Sequence, residues 1–145
     1  MSQDDPHADV AAWLRAHRDA WNADDVPAMF ASVSPDLHWV NVVGMHWQGE
    51  AAVVAAHQAF FKVMFEGVRL DLVAIESVVV LDADTRIAVV EWALGDYTTP
   101  GGERIRAERN RMTLVFSGQG VTLQLRHVAN VRIDAAAAAH DPVRA

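Results

Sequence analysis

The feature that most limits what this chain can become is a change of hydrophobic period near Val68. Upstream, apolar residues recur at three- and four-residue intervals; downstream, they recur at every second residue through most of four long stretches. Val68, Leu70 and Leu72 alternate with Arg69 and Asp71, the pattern of a half-buried strand. Over 74–81 the alternation dissolves into a mostly apolar run. A bulge or sharp bend is expected at 74–77, because bulges re-aim long curved strands. Asp82-Ala83-Asp84 turns the chain, and further strands are predicted over 85–97, 103–116 and 121–133. Thr98-Thr99-Pro100-Gly101-Gly102 and Ser117-Gly118-Gln119-Gly120 supply the turns between them. The second half is therefore an antiparallel meander.

The first half reads as three helices around a strand pair. Asp9 is placed to cap a first helix ending near Asn22, with Val10, Trp13, Leu14, His17, Ala20 and Trp21 on its apolar stripe. Pro27 suits the first turn of a short second helix, with Met29, Phe30 and Val33 as its buried side; Ser34-Pro35-Asp36 ends it. A third helix is predicted over 50–65, carrying Val53, His57, Phe60, Phe61 and Met64 on one face, with Gly67 as a left-handed cap. Between the second and third helices, 37–49 reads as a strand, a glycine turn and a second short strand. Alternation puts Leu37, Trp39, Asn41 and Val43 on one face. Asn41 is then either a satisfied core amide or the floor of a pocket.

Helices segregated to one end of a mostly antiparallel sheet make an α+β domain. A strongly curved sheet wrapped around three N-terminal helices encloses a cone whose mouth is a natural small-molecule pocket. With no linker or internal repeat, all 145 residues are assigned to a single domain, its core spanning about 10–133. The tail after Asp134, five alanines and a short polar end, is expected to fray.

Composition removes several classes of function. Twelve basic residues against nineteen acidic ones leave a net charge of −7, which offers no basic field to a nucleic acid or an anionic membrane. There is no cysteine, so disulfides, thiol catalysis and Cys-ligated zinc are excluded. The acidic N-terminus lacks an apolar signal core, and no run reaches the ~18 apolar residues of a membrane span. A cytoplasmic protein is expected.

Three histidines carry the chemistry that remains. His17, His57 and His127 each fall on an apolar-patterned face, on the first helix, third helix and last strand. On that strand Val121, Leu123, Leu125, His127 and Ala129 share one side, while Gln124, Arg126, Val128, Asn130 and Arg132 share the other. If the leucine side is interior, three imidazoles line one cavity and can act as acid or base near neutrality. Separately buried, backbone-bonded histidines are the competing account. No two of these imidazoles stand at helical i, i+4 spacing and no carboxylate shares their faces, so no metal site is expected. Nor is there a glycine-rich dinucleotide fingerprint, and no cofactor is expected. Trp13, Trp39, Trp47, Trp92, Phe61 and Met112 are the expected pocket walls, suited to a planar apolar ligand; filling of the core by tryptophan is the alternative. Trp21 is expected only to close the base of the first helix.

The element order, with Ala20-Trp21-Asn22-Ala23-Asp24-Asp25 after the first helix, resembles the nuclear-transport-factor-2-like superfamily of cystatin-like folds. Residues 30–49, His57, 70–92 and 110–130 are similar more narrowly to its SnoaL-like branch and, within that, the SgcJ/EcaC group. The resemblance covers about 10–133 and implies the curved-sheet cone. Ketosteroid isomerase, in the same superfamily, uses an aspartate base with a tyrosine and a neutral aspartic acid as its oxyanion site. By similarity those positions fall here on Asn41, His17 and, near it, Met112, so none of the three catalytic identities is present and that mechanism is not expected. The resemblance also implies a homodimer packed through the outer sheet face, where Arg109, Arg111, Glu91, Arg126 and Arg132 would form a charge network; solvated strand charges that prevent edge pairing are the alternative.

Two functional expectations follow. In the first, the chain binds a hydrophobic carbonyl compound and performs proton transfer, cyclisation or dehydration, with Asn41 orienting the substrate and His57, His17 or His127 moving the proton. In the second, the same pocket serves a non-catalytic binding or accessory module.

Overall fold

The computed structural model describes residues 6–144. Helix α1 (Pro6–Asn22) and the single-turn α2 (Val26–Met29) precede strands β1 (Val33–Val40) and β2 (His46–Gln48). Helix α3 (Glu50–Phe60) runs on into a π-helical turn, Phe61–Phe65. Then come β3 (Leu70–Asp82), β4 (Thr85–Leu94), the two-residue strands β5 (Tyr97–Thr98) and β6 (Arg104–Ile105), β7 (Glu108–Ser117), β8 (Gln124–Arg132) and a helical turn, α4 (Ala135–Ala138). Six strands form one sheet in the order β2-β1-β8-β7-β4-β3, antiparallel except for the β1–β8 pair. The predicted α+β cone is the observed fold.

Alternation decides which side of the long strands is interior. Ala88, Val90, Trp92 and Leu94 on β4 and Met112, Leu114 and Phe116 on β7 are buried, with Asn110 among them. The expected bend in β3 is a pair of register shifts, at Leu72/Ala74 and Ile75/Ser77, which curl the sheet over the helices. Gly67 closes the third helix with φ +74°, as predicted. At the β7–β8 turn, a Cβ on Gly118 would lie 2.3 Å from the Thr122 carbonyl oxygen, so that approach demands glycine.

The Trp21-Asn22-Ala23-Asp24 segment fastens α1 to the sheet. Asn22 pairs with the backbone of Leu70 through both ends of its amide, at 2.8 and 2.9 Å, as a neighbouring strand would. Trp21 Nε1 donates to the Val68 carbonyl at 2.8 Å, and the Asp24 carboxylate accepts from Gly67 N–H.

Several sequence expectations need correction. Asp9 is not a cap: α1 starts at Pro6, and the Asp9 carboxylate instead accepts from Arg86 Nη1 and Gly120 N, both at 2.9 Å. The second helix ends at Met29, and Val33 to Asp36 belong to β1; Pro35 is tolerated because the β1–β8 register slips between Val33 and His38. Asn41 and Val43 lie beyond β1 in the turn, so they do not continue its buried face. The strand predicted over 103–116 is broken at Ala107, whose φ is +52°, and Tyr97 belongs to β5 rather than β4. Residues 120–122 form a 3-10 turn, and Val121 is fully exposed. The tail is not wholly frayed: Asp134 caps α4 by accepting from Ala137 N–H.

In β8 the correction has chemical consequences. Val115 pairs with His127 but Phe116 pairs with Leu125, so Arg126 is an extra residue facing no partner. This bulge reverses the alternation beyond it. Leu123 and Leu125 point inward before it, Val128 after it. His127 therefore lies on the outer face and Arg132 turns inward, the opposite of both expectations.

Arg86 is a buried guanidinium whose side chain is 4% exposed and whose carboxylate partner among the described residues is Asp9. Asp9→Ala leaves that charge buried and unpaired, and is expected to cost about 3–5 kcal/mol in urea-unfolding free energy. Asp9→Ala with Arg86→Met in the same chain is expected to recover most of that loss.

Candidate functional site

The cone encloses a cavity of about 330 Å³. Its walls are contributed by α1 (His17, Trp21), β1 (Trp39), the β1–β2 turn (Asn41, Val42, Met45), α3 and its π turn (His57, Phe60, Met64, Phe65), and the inner faces of β4, β7 and β8. Most of that surface is aromatic or aliphatic. Of the predicted wall residues, Trp39, Trp47, Trp92 and Met112 line the cavity, as do His17, His57 and Asn41. Trp13, Phe61 and His127 do not. Trp13 lies behind His17, stacked on it at 5.1 Å with its Nε1 donating to the Ser32 carbonyl; Phe61 packs edge-on against Trp21. Trp21, expected only to close the helix base, is a cavity wall.

His17 and His57 share one aromatic enclosure. His57 meets Trp39, Trp47 and Phe30 edge-on at 4.8, 5.6 and 4.9 Å, and His17 stacks between Trp13 and Trp39. His17 Nδ1 is 3.2 Å from the Met29 carbonyl and His57 Nδ1 is 2.8 Å from that of Val53. A carbonyl only accepts, so Nδ1 carries the proton in each ring and Nε2 keeps a free lone pair. Burial drives the pKa of both down to about 4, against the pull of those carbonyls. Both are neutral hydrogen-bond acceptors at pH 7.

Asn41 has a different role from the one its sequence position implied. Its Oδ1 accepts from Met45 N at 2.8 Å and Val43 N at 3.2 Å, holding the β1–β2 turn over the cavity. Only its Nδ2 is left for a ligand.

The opposite wall is polar, and sequence reasoning largely missed it. Trp92, Asn110 and Arg132 are register partners across β4, β7 and β8, and Asn130 pairs with Met112 one step along. Trp92 Nε1, Asn110 Oδ1 and Asn130 Oδ1 are buried and have no hydrogen-bond partner among the described residues. Beside them Tyr97 donates to Glu108 Oε1 at 2.5 Å, and Arg132 Nε reaches the same oxygen at 3.0 Å. The Glu108 side chain is 2% exposed. Burial, and then the bond to Glu108, push the Tyr97 hydroxyl up to about 12, so it stays a proton donor. The alternation that buried Met112 placed Asn110 beside it. Tyr97, Glu108 and Arg132 gave no comparable signal, because a break at Ala107 and the β8 bulge bring them together.

A family model for the SnoaL-like domain matches residues 14–134. The chain belongs to that family. The match does not separate the SgcJ/EcaC group from the rest of the SnoaL-like domains. An uncharacterised protein with a cystatin-like fold from Caulobacter vibrioides is 32% identical, with TM-score 0.89 over 95% of this chain and 96% of that one. A ketosteroid isomerase-like protein from Erwinia carotovora atroseptica superposes with TM-score 0.73 at 16% identity, covering 90% and 98% of the two chains. A type 2 hexachlorocyclohexane dehydrochlorinase gives TM-score 0.74 at 8% identity, covering 88% and 85%. At these last two identities the SnoaL-like domain shares a fold with them and no more. No curated protein matches the chain. Among the described residues no helix is long and apolar enough to cross a membrane.

The two buried imidazoles set a pH dependence. An unfolded histidine titrates near 6.5, so between pH 6.5 and about 4 the unfolded chain binds more protons than the folded one. Stability is therefore full above pH 6.5 and falls as the pH drops through that window, by about 3 kcal/mol for each histidine once pH 4 is reached. Urea midpoints at pH 7, 6 and 5 should decrease in that order. The two imidazole NMR signals should keep neutral-form shifts down to about pH 5.

Proposed function

We propose that the cone binds a compact, mostly apolar molecule bearing a carbonyl group and transfers a proton on it, as an isomerase, cyclase or dehydratase does. The observation behind this reading is the trio of partnerless polar atoms, Trp92 Nε1, Asn110 Oδ1 and Asn130 Oδ1, gathered on one wall of an otherwise apolar cavity. Unmade hydrogen bonds in a folded interior cost about 1–3 kcal/mol each, a cost offset when a ligand supplies the partners. Trp92 offers a donor and the two asparagine oxygens offer acceptors, so the fitting ligand pairs a carbonyl with a hydroxyl.

In this scheme His57 Nε2 takes the proton from the carbon beside the carbonyl. The electron pair of that C–H bond passes to the carbonyl oxygen, held by Trp92 N–H, while the Asn110 and Asn130 oxygens accept from a hydroxyl of the same molecule. Returning the proton to a different carbon completes an isomerisation; delivering it to a departing β-hydroxyl releases water. A conjugate acid near 4 is adequate, since the ketosteroid isomerase base has a pKa of only about 4.6 and relies on its oxyanion donors. Asn41 Nδ2 would orient the substrate at the mouth, and His17, behind His57, would keep the enclosure dry. A second reading, binding without chemistry, is favoured by one fact: the Glu108 carboxylate is already engaged by Tyr97 and Arg132.

For the assembly we propose a homodimer through the outer face of the sheet. Ile87, Val89, Val115 and Val131 lie on that face half-buried or exposed, an apolar surface unusual for a solvated sheet side. Arg111 reaches Glu76 and Glu91 there, and Arg109 pairs with Glu91.

Binding is measurable by quenching of Trp39, Trp47 and Trp92 fluorescence with a panel of planar hydroxyketones. Asn110→Leu should leave stability unchanged or raised, because it removes an unpaired buried amide, while weakening binding about ten-fold. Wild type should wash solvent deuterium into the carbon beside the ligand carbonyl, and His57→Gln should bind within a few-fold yet lose that exchange. Binding with no exchange in wild type would select the non-catalytic reading. For the dimer, light scattering should give twice the chain mass, falling to the monomer mass in Val131→Asp.

A further inference from the structure

The outer side of the sheet carries three histidines that the cavity does not use. His38 on β1, His46 on β2 and His127 on β8 occupy three adjacent strands. His38 is the register partner of His127, and His46 is the partner of Val40, two residues along β1 from His38. Residues two apart on a strand share a face, so all three imidazoles stand on the same one, opposite Trp39 and the cavity. His38 Nδ1 lies 3.0 Å from His46 Nε2, with ring centroids 5.0 Å apart; the His38 and His127 centroids are 6.4 Å apart.

We propose that His38, His46 and His127 form a binding site for a divalent transition-metal ion of the zinc class. Three neutral imidazoles are a recognised ligand set for Zn²⁺, leaving the fourth tetrahedral position to water. Two nitrogens each about 2.0–2.1 Å from a tetrahedral ion stand roughly 3.3 Å apart, so the His38–His46 pair needs little movement to bracket one. Among the described residues no three ligating groups are already placed to hold an ion, so the His127 ring, whose centroid stands 6.4 Å from that of His38, must turn toward the His38–His46 pair for the site to form. That ring is only partly buried. Asp36, two residues before His38 on the same strand, holds Arg126 at 3.2 Å and so compensates the cation on this side. Three strands of a single sheet form a stiff platform for such a set, and the β8 bulge is what delivers the third member.

The test uses the full chain with Zn²⁺ in calorimetry and Co²⁺ as a visible probe. The expected result is one ion per chain and the intense visible absorption of tetrahedral Co²⁺. His46→Gln and His127→Gln should each weaken binding by about ten-fold or more, with His140→Gln, in the exposed tail, unchanged. His46 is exposed and His38 and His127 are half-buried on the outer face, away from the core, so unchanged tryptophan fluorescence will verify the fold of each variant. Absence of saturable uptake, one ion per two chains, or full retention of binding in the combined His46→Gln and His127→Gln variant would overturn the proposal.

Discussion

One extra residue in one strand governs the chemistry of both faces of this protein. Arg126 has no partner on β7, and the bulge it makes turns the rest of β8 over by half a pleat. Val128 therefore completes the core next to Leu114, and Asn130 and Arg132 reach the cavity. The same half-turn expels His127 to the outer face beside His38. A straight β8 would have buried one imidazole and left the cavity without Asn130 and Arg132.

The interior that results is a compromise between stability and readiness. Two imidazoles are enclosed by aromatic rings closely enough that protonation is disfavoured, with the backbone carbonyls of Met29 and Val53 as their anchors. Three polar atoms opposite them are left without partners among the described residues. A chain under selection only for a tight core would fill these positions with aliphatic side chains, which are neutral or better for folding. Keeping amides and an indole N–H there makes sense if another molecule completes their hydrogen bonds. Elsewhere the structure satisfies its buried charges: Arg86 has Asp9, and Glu108 has both Tyr97 and Arg132.

Particular residues show how far local pattern carries. The i, i+3, i+4 stripe of α1 put His17 inside, and the corresponding stripe of α3 put His57 inside, because a helix face needs no partner to be recognised. Alternation on β4 and β7 identified Trp92 and Met112 as interior, and the loss of alternation at Ala74 marked the bend in β3. Asn41 was located at the cavity, but its amide oxygen proved to be committed to its own turn. Tyr97, the sole tyrosine, ends the strand predicted over 85–97 on the face opposite Trp92, yet it belongs to β5 and is buried at the cavity.

The sequence by itself determined the kind and order of the elements, the fold they build and the inward face of every segment whose period is unbroken, since periodicity is a property of neighbours along the chain. Only the tertiary structure decided which way the end of β8 faces, that Tyr97, Glu108 and Arg132 meet, and that His38 stands beside both His46 and His127 on the outer face. Those outcomes depend on strand register, which is settled between distant segments by how each packs against the other, and a shift of one residue there exchanges inside for outside.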